Sequence, residues 1–260
     1  MDQPLNHESF AHRAEEILAL IARERGEHGL NEAISSAIEQ YVDDEPNSEL
    51  KRFSEVLTLA RRQALLQQRL DDDREALHHG HLSHEELVST GHHYETLRYD
   101  ACLYNHMLRG LLESCGQYFT RDDIMDWLTA ASQGRRDWAR AEVSGAISEV
   151  ALHAALQGLP ELRGLRYATV EEDLKGYDYI AQWQGNLLSI DAKTGFYRPL
   201  AEQKHGHRHL EISVPREVVK DFRITRHGLD LLRREVRQAL LGGAGVQVHA
   251  SHHHYRVMQA

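Results

Sequence analysis

The sequence predicts a mixed α/β protein, with an all-helical region over residues 1–134 and an α-βββ-α-β domain over residues 135–260. Three observations lead there. Apolar residues in the first half recur every three or four positions, which is the helical period. After residue 160 they gather in short runs bounded by Gly, Asp and Asn, as strands do. The charge changes between the halves as well. Residues 1–141 hold 15 Lys+Arg against 26 Asp+Glu, a balance of −11, whereas residues 142–260 hold 15 against 14, a balance of +1.

Phe10, Ala14, Ile17, Leu18 and Ile21 set out a first helix that Gly26 closes. Leu30, Ile34 and Ile38 continue the period until Asp43-Asp44-Glu45-Pro46 interrupts it. From Asn47 a long helix carries Leu50, Phe53, Val56, Leu57, Ala60 and Ala64, then reaches the polar Gln67-Gln68-Arg69 and Asp71-Asp72-Asp73. Ser83 and Glu86 form a capping box, each side chain satisfying the other's exposed backbone N–H, and start a helix through Tyr94, Leu97, Leu103 and Leu108. Thr120 and Asp123 mark the next start, with Ile124, Trp127 and Leu128 on the inner face. A helix from about residue 135 to Leu159-Pro160 carries Trp138, Val143, Ile147, Val150, Ala151 and Leu152.

Strands are expected over residues 165–170, 177–183 and 186–193, the last two joined by a tight turn at Gln184-Gly185. Residues 210–214 suit a further extended piece. A helix over 229–241, stopped by Gly242-Gly243, precedes a closing strand at 246–249.

At 260 residues the chain buries a substantial core, and its 41% hydrophobic and 27% charged residues mark a globular protein. No apolar run is long enough to span a bilayer, and Met1-Asp2-Gln3-Pro4 opens no signal segment, so a soluble cytoplasmic protein is expected. Cys102 and Cys115 give neither a metal-ligand spacing nor a disulfide framework. The absence of a phosphate-cradling glycine loop and of a nucleophile elbow argues against nucleotide-driven and serine-hydrolase chemistry. From Asp191 onward the chain holds 12 Lys+Arg against 7 Asp+Glu, with eight histidines besides, and this basic stretch suits contact with phosphate.

The chemistry concentrates in Asn186-Leu187-Leu188-Ser189-Ile190-Asp191-Ala192-Lys193-Thr194. Alternate side chains of a strand share a face, so Asp191 and Lys193 project together while Ile190 and Ala192 point the other way. A hairpin about Gln184-Gly185 sets Asp178, in Gly176-Tyr177-Asp178-Tyr179-Ile180, almost opposite Asp191. Two carboxylates facing each other repel unless a cation lies between them. Glu149, in Ser148-Glu149-Val150-Ala151, interrupts the apolar face of the preceding helix and can reach the same point if that helix packs on the sheet. Carboxylates that hold a hard cation beside an ammonium that steadies phosphate are what metal-assisted phosphodiester cleavage requires. Glu49-Leu50-Lys51 and Asp173-Leu174-Lys175 share the acid-x-Lys spacing, but neither follows an apolar strand with an acid opposite.

Glu149, Asp178 and Asp191-Ala192-Lys193 together resemble the signature of the PD-(D/E)xK nuclease superfamily, whose fold is the restriction-endonuclease-like core. The resemblance covers roughly residues 140–250 and leaves the helical first half outside it. Tyr177 stands where the family motif has proline. The resemblance implies that Glu149, Asp178, Asp191 and the Ala192 carbonyl bind Mg²⁺, with Mn²⁺ as a substitute, and that Lys193 positions or activates the attacking water. It further implies a Mg²⁺-dependent DNA endonuclease, with RNA a second candidate substrate and defence against foreign DNA among the roles such enzymes serve.

Lys204, His207, Arg208, Lys220, Arg223 and Arg226 are the candidates for contact with the nucleic-acid backbone, and Tyr197 and Arg198 are weaker ones. The acidic helical region is expected to recognise a target, to regulate the nuclease domain, or to bind a protein partner or a second copy of the chain. His78, His79, His81, His84, His92 and His93 crowd one inter-helix junction and His252-His253-His254 lies near the end, without the pattern of a tetrahedral zinc site. The alternative to an enzyme is a non-catalytic scaffold that binds nucleic acid or protein through a degenerate nuclease-like domain.

Overall fold

The computed structural model describes residues 5–23, 32–79, 83–194, 200–204, 206–215, 219–220 and 222–241. The protein is α+β and divides into two compact units, Met1–Ile147 and Ser148–Ala260. That division lies inside a helix, whereas the change of sequence texture put it at the start of the helix, between 134 and 135.

The first unit contains helices α1 (His7–Ala22), α2 (Glu32–Asp43), α3 (Ser48–His78), α4 (His84–Cys115) and α5 (Arg121–Ala131), and the first half of α6 (Arg136–Gln157). Both expected capping boxes are present, Ser83 with Glu86 and Thr120 with Asp123. Asn6 and Asn47 cap α1 and α3 by accepting N–H groups of the first turn. The periodic apolar residues meet inside. Phe10, Phe53 and Phe119 are at most 5% exposed, and Phe10 meets Phe53 and Phe119 edge-on at 5.3 and 5.2 Å. The polar stretch after Ala64 does not end α3, which continues for 31 residues in all. No helix among the described residues is long and apolar enough to cross a membrane.

The second unit is built on strands β1 (Leu162–Tyr167), β2 (Tyr179–Trp183), β3 (Asn186–Thr194), β4 (Leu200–Lys204) and β5 (His207–Val214). They form a mixed sheet in the order β1-β2-β3-β5-β4, antiparallel except for β3 and β5, which run parallel. Helix α7 (Val170–Asp173) follows β1, the hairpin of β6 (Val219–Lys220) and β7 (Arg223–Ile224) follows β5, and α8 (Arg226–Leu241) comes last. The β2–β3 hairpin turns at Gln184 and Gly185, both with positive φ, and its ladder pairs Tyr179 with Ile190 and Ile180 with Ser189, as the sequence predicts.

Two features differ from expectation. Strand β1 begins at Leu162 and stops at Tyr167, because Thr169 caps a short helix with Glu172 and takes Val170 out of the sheet. The extended piece expected at 210–214 is the end of β5, which pairs parallel with β3 and is preceded by the unpredicted β4. The predicted strand at 246–249 and the Gly242-Gly243 stop lie outside the described residues.

One face of the sheet is covered. Ala151, Leu152, Ala155 and Leu156 of α6 and Leu232, Val236 and Ala239 of α8 form a single core with Tyr179, Leu188, Ile190, Leu210 and Ile212. The alternation of β3 thus presses Leu188 and Ile190 into the core, with Ala192 against it, and leaves Ser189, Asp191 and Lys193 on the opposite face. Leu152 is fully buried in this core, whereas Leu187, on the other face of β3, is exposed. Leu152→Ala is expected to lower unfolding stability by about 2–5 kcal/mol, and Leu187→Ala by less than about 0.5 kcal/mol. Urea denaturation of the two variants beside wild type measures the contrast.

Candidate metal and phosphate site

Asp178 is fixed before its carboxylate is considered. Gly176, with φ of +80°, turns the chain out of α7 in a conformation that suits glycine, and its N–H donates to Asp173 O at 2.6 Å. The segment before it is held by Arg166, which donates to both Glu172 oxygens at 2.6 and 2.7 Å. That hydrogen bond draws the Glu172 carboxyl down to about 2. Beyond the turn, Asp178 N–H donates to Ile190 O at 3.0 Å and Asp178 O accepts from Ala168 N–H at 2.9 Å. Ala192 N–H donates to Asp178 Oδ2 at 2.6 Å. The aspartate is therefore tied to the end of β1 on one side and to β3 on the other.

Of the predicted acids, Asp178 and Asp191 meet, whereas Glu149 does not join them in a cluster of three ligand atoms. Asp178 and Asp191 are hydrogen-bonded through their side chains, and the charge of Glu149 also acts on Asp178. Burial first, then the negative charges of Glu149 and Asp191, push the Asp178 carboxyl well above the usual aspartate range. Protonated Asp178 can donate the hydrogen bond that joins it to Asp191. Lys193 forms an ion pair with Asp191. Burial works to lower the Lys193 pKa, but the hydrogen bond and charge of Asp191, followed by the charges of Glu211 and Asp178, outweigh it and raise the pKa. Glu149 comes from α6 just before the buried stretch that starts at Ala151, and its carbonyl accepts a hydrogen bond from Tyr179 Oη at 2.5 Å. Ala192 lies between the acid and the lysine on β3, anchored to Asp178 through its N–H.

Two further residues belong to this face. In the parallel ladder Asp191 lies beside Glu211, and Ser189 beside His209. One ligand atom from each of Asp191, His209 and Glu211 lies within 4.8 Å of the other two, the only such grouping of three or more His, Cys, Asp or Glu among the described residues. Both residues stand in an alternating pattern. His207, His209, Glu211 and Ser213 alternate with Arg208, Leu210, Ile212 and Val214. What it hid was the pairing, since a parallel neighbour with no intervening helix cannot be inferred from spacing.

The basic candidates divide. Lys220, Arg223 and Arg226 are exposed, the first two paired across the β6–β7 hairpin. Arg208 is engaged on the covered face, where its guanidinium lies 4.6 Å from the Trp183 ring centroid and donates to Ala239 O at 2.7 Å. His207 turns inward, with Nε2 3.0 Å from Ser189 Oγ and the Tyr177 ring edge-on at 5.3 Å. Both therefore leave the set of phosphate contacts, because their polar groups are used inside the fold. The side chain of Lys204, together with Tyr197 and Arg198, lies outside the described residues. At the inter-helix junction His78 lies against His79, and His93 Nδ1 is 3.4 Å from Asp73, with no metal cluster among the described residues.

The raised pKa of Asp178 makes a prediction about stability. The folded state holds this proton more tightly than the unfolded chain, so its contribution is full in acid and is lost as pH rises through the folded pKa. Asparagine at 178 keeps an acceptor for Ala192 N–H and donates to Asp191 as the protonated acid does. In EDTA, Asp178→Asn should match wild-type melting near the acid end and exceed it at alkaline pH, the gap widening between. Parallel melting profiles for the two proteins across that range would contradict the buried acid pair.

No family model, curated protein or solved structure matches the chain.

Proposed function

We propose that this chain is a Mg²⁺-dependent nuclease that hydrolyses phosphodiester bonds in DNA, built on a restriction-endonuclease-like core. The observation that carries the proposal is the contact of Asp178 with Asp191 and the ion pair of Lys193 with Asp191. A helix bearing Glu149 followed by an antiparallel β1-β2-β3 meander supports the fold reading. The insertion of β4 and the position of β5 before α8 depart from the α-βββ-α-β order.

The donor set fits a hard divalent ion. Glu149, Asp178, Asp191 and the Ala192 carbonyl offer oxygen, which Mg²⁺ prefers. A cation would offset the repulsion between Asp178 and Asp191 that raises the Asp178 pKa. When bound, the ion supplies Lewis-acid polarisation of the scissile phosphate. The chain's own residues do the rest. Lys193, its pKa raised, holds its proton at Nζ near neutrality and therefore acts as a charge and hydrogen-bond donor. It orients the attacking water and offsets the charge that develops on the phosphoryl oxygens. Asp191 keeps that ammonium in place through the ion pair. The exposed cations Lys220, Arg223 and Arg226 hold the substrate backbone without reading its sequence.

Purified protein incubated with plasmid or linear DNA in Mg²⁺ or Mn²⁺ is expected to cut it, and Asp191→Ala or Lys193→Ala to slow cutting by at least about 10²-fold. Equal cutting by all three proteins would sink the assignment. Binding without cutting tests the basic hairpin separately. Replacing Lys220, Arg223 and Arg226 with alanine should weaken DNA binding alike on all sequences, and each lost phosphate contact should flatten the plot of log K against log salt by about 0.9. Fluorescence anisotropy over a salt series reads that slope.

A further inference from the structure

We infer that Asp191, His209 and Glu211 form a nitrogen-bearing subsite for a divalent transition-metal ion, with Asp191 shared between it and the Asp178 carboxyl. The subsite rests on the proposed phosphodiesterase site only in sharing Asp191. It uses residues of β5 that no part of the hydrolytic proposal requires.

Geometry comes first. Asp191 and Glu211 are register neighbours on parallel strands, so their carboxylates stand side by side on one face. Like charges in that arrangement destabilise a sheet unless a cation separates them. His209 lies two residues before Glu211 on the same face, and its side chain is fully buried. One ligand atom from each residue lies within 4.8 Å of the other two. An ion with bonds of about 2.0–2.2 Å spans at most about 4.4 Å between opposite ligands. Three ligands spread evenly around one such ion stand about 3.8 Å apart at most, so the set closes on an ion with shifts of up to about an ångström.

The surroundings of the histidine match those of a metal ligand. His209 Nδ1 is 2.8 Å from Ser189 Oγ, and Ser189 Oγ is in turn 3.0 Å from His207 Nε2. When His209 donates its Nδ1 proton to Ser189, the Ser189 hydroxyl donates onward to His207, and the His209 lone pair lies on Nε2. Ligating histidines are commonly fixed in this way, one ring nitrogen donating to a protein oxygen while the other takes the metal. The Tyr177 ring packs 5.7 Å from the His209 ring and holds it in place.

Charge decides the occupant's class. Asp178 feels Glu149 and Asp191, while three carboxyl groups, Asp191, Glu211 and Asp178, act on the one Lys193 ammonium. That excess of negative charge calls for a cation. An imidazole among the ligands favours first-row transition ions over Mg²⁺, which prefers oxygen alone.

The probe is Mn²⁺ added alone to the full-length chain. Electron spin-echo envelope modulation of the bound ion should show directly coordinated ¹⁴N, and His209→Gln should abolish that signal. Glu211→Gln should weaken Mn²⁺ binding at least about tenfold by calorimetry. Mg²⁺ in about tenfold excess should leave the nitrogen signal in place. Bound Mn²⁺ without nitrogen coupling overturns the inference, as does coupling that survives His209→Gln. Absence of Mn²⁺ binding at millimolar concentration overturns it too. If His209→Gln fails to fold by circular dichroism, Glu211→Gln decides, and unchanged Mn²⁺ affinity then overturns the subsite. The two proposals fail separately. DNA cutting lost on Asp191→Ala in a protein whose Mn²⁺ shows no nitrogen leaves the nuclease and removes the subsite. Nitrogen-coupled Mn²⁺ in a protein that cuts no DNA does the reverse.

Discussion

The structure depends on one strand that serves two opposed environments. Leu188 and Ile190 of β3 are at most 1% exposed in the core shared with α6 and α8, while Asp191 and Lys193 form an ion pair on the other face. The side-chain period of two makes these faces inseparable, because the hydrophobic residues fix the strand and the charged ones follow. Bringing Asp178, Asp191 and Glu149 together is unfavourable in itself, since each carboxylate raises the energy of the others' charged forms. The arrangement persists because the apolar face and the backbone bonds of Asp178 to Ala168, Ile190 and Ala192 over-determine it. Such locally unfavourable electrostatics, held by a core that gains nothing from them, is how functional sites differ from their surroundings.

Much of this was legible in the sequence where the signal was local. The helix starts at Ser83 and Thr120 were readable because a capping box needs only residues three apart. The β2–β3 register was readable because a two-residue turn with glycine in its second position fixes which residues meet. Asp178 and Asp191 followed from that register. His209 and Glu211 did not follow, because their relation to β3 depends on a parallel pairing across a β4 excursion that leaves no trace in spacing. Arg208 misled for a related reason. A basic residue in a basic run reads as exposed, yet its alternation partner face is the core, where Trp183 and the end of α8 occupy its guanidinium.

The helical unit illustrates the opposite balance. Its interior is an ordinary apolar assembly of Phe10, Phe53, Phe119 and their neighbours, and in the acidic run Asp71-Asp72-Asp73 it is Asp73 that is drawn into contacts between helices, with Thr90 and His93. Polarity after Ala64 does not end α3, because an isolated polar face costs little when the helix is already nucleated and packed upstream. Negative charge is thus concentrated in the first half of the sequence and positive charge toward its end.

Register between β3 and β5 is finally what assembles the acidic face. A slip of one residue would turn His209 and Glu211 into the core and Leu210 outward, which the hydrophobic cluster forbids. A slip of two keeps the faces and moves Glu211 about 6.6 Å along Asp191, a change the core alone resists weakly. Polar contacts exclude it. Ser189 Oγ lies 2.8 Å from the ring of its ladder partner His209, and Arg208 is held to Ala239 O at 2.7 Å on the other face. The hydroxyl that orients the histidine thus also sets the distance between the carboxylates on the two strands, so the geometry of the site and the register of the sheet are one constraint.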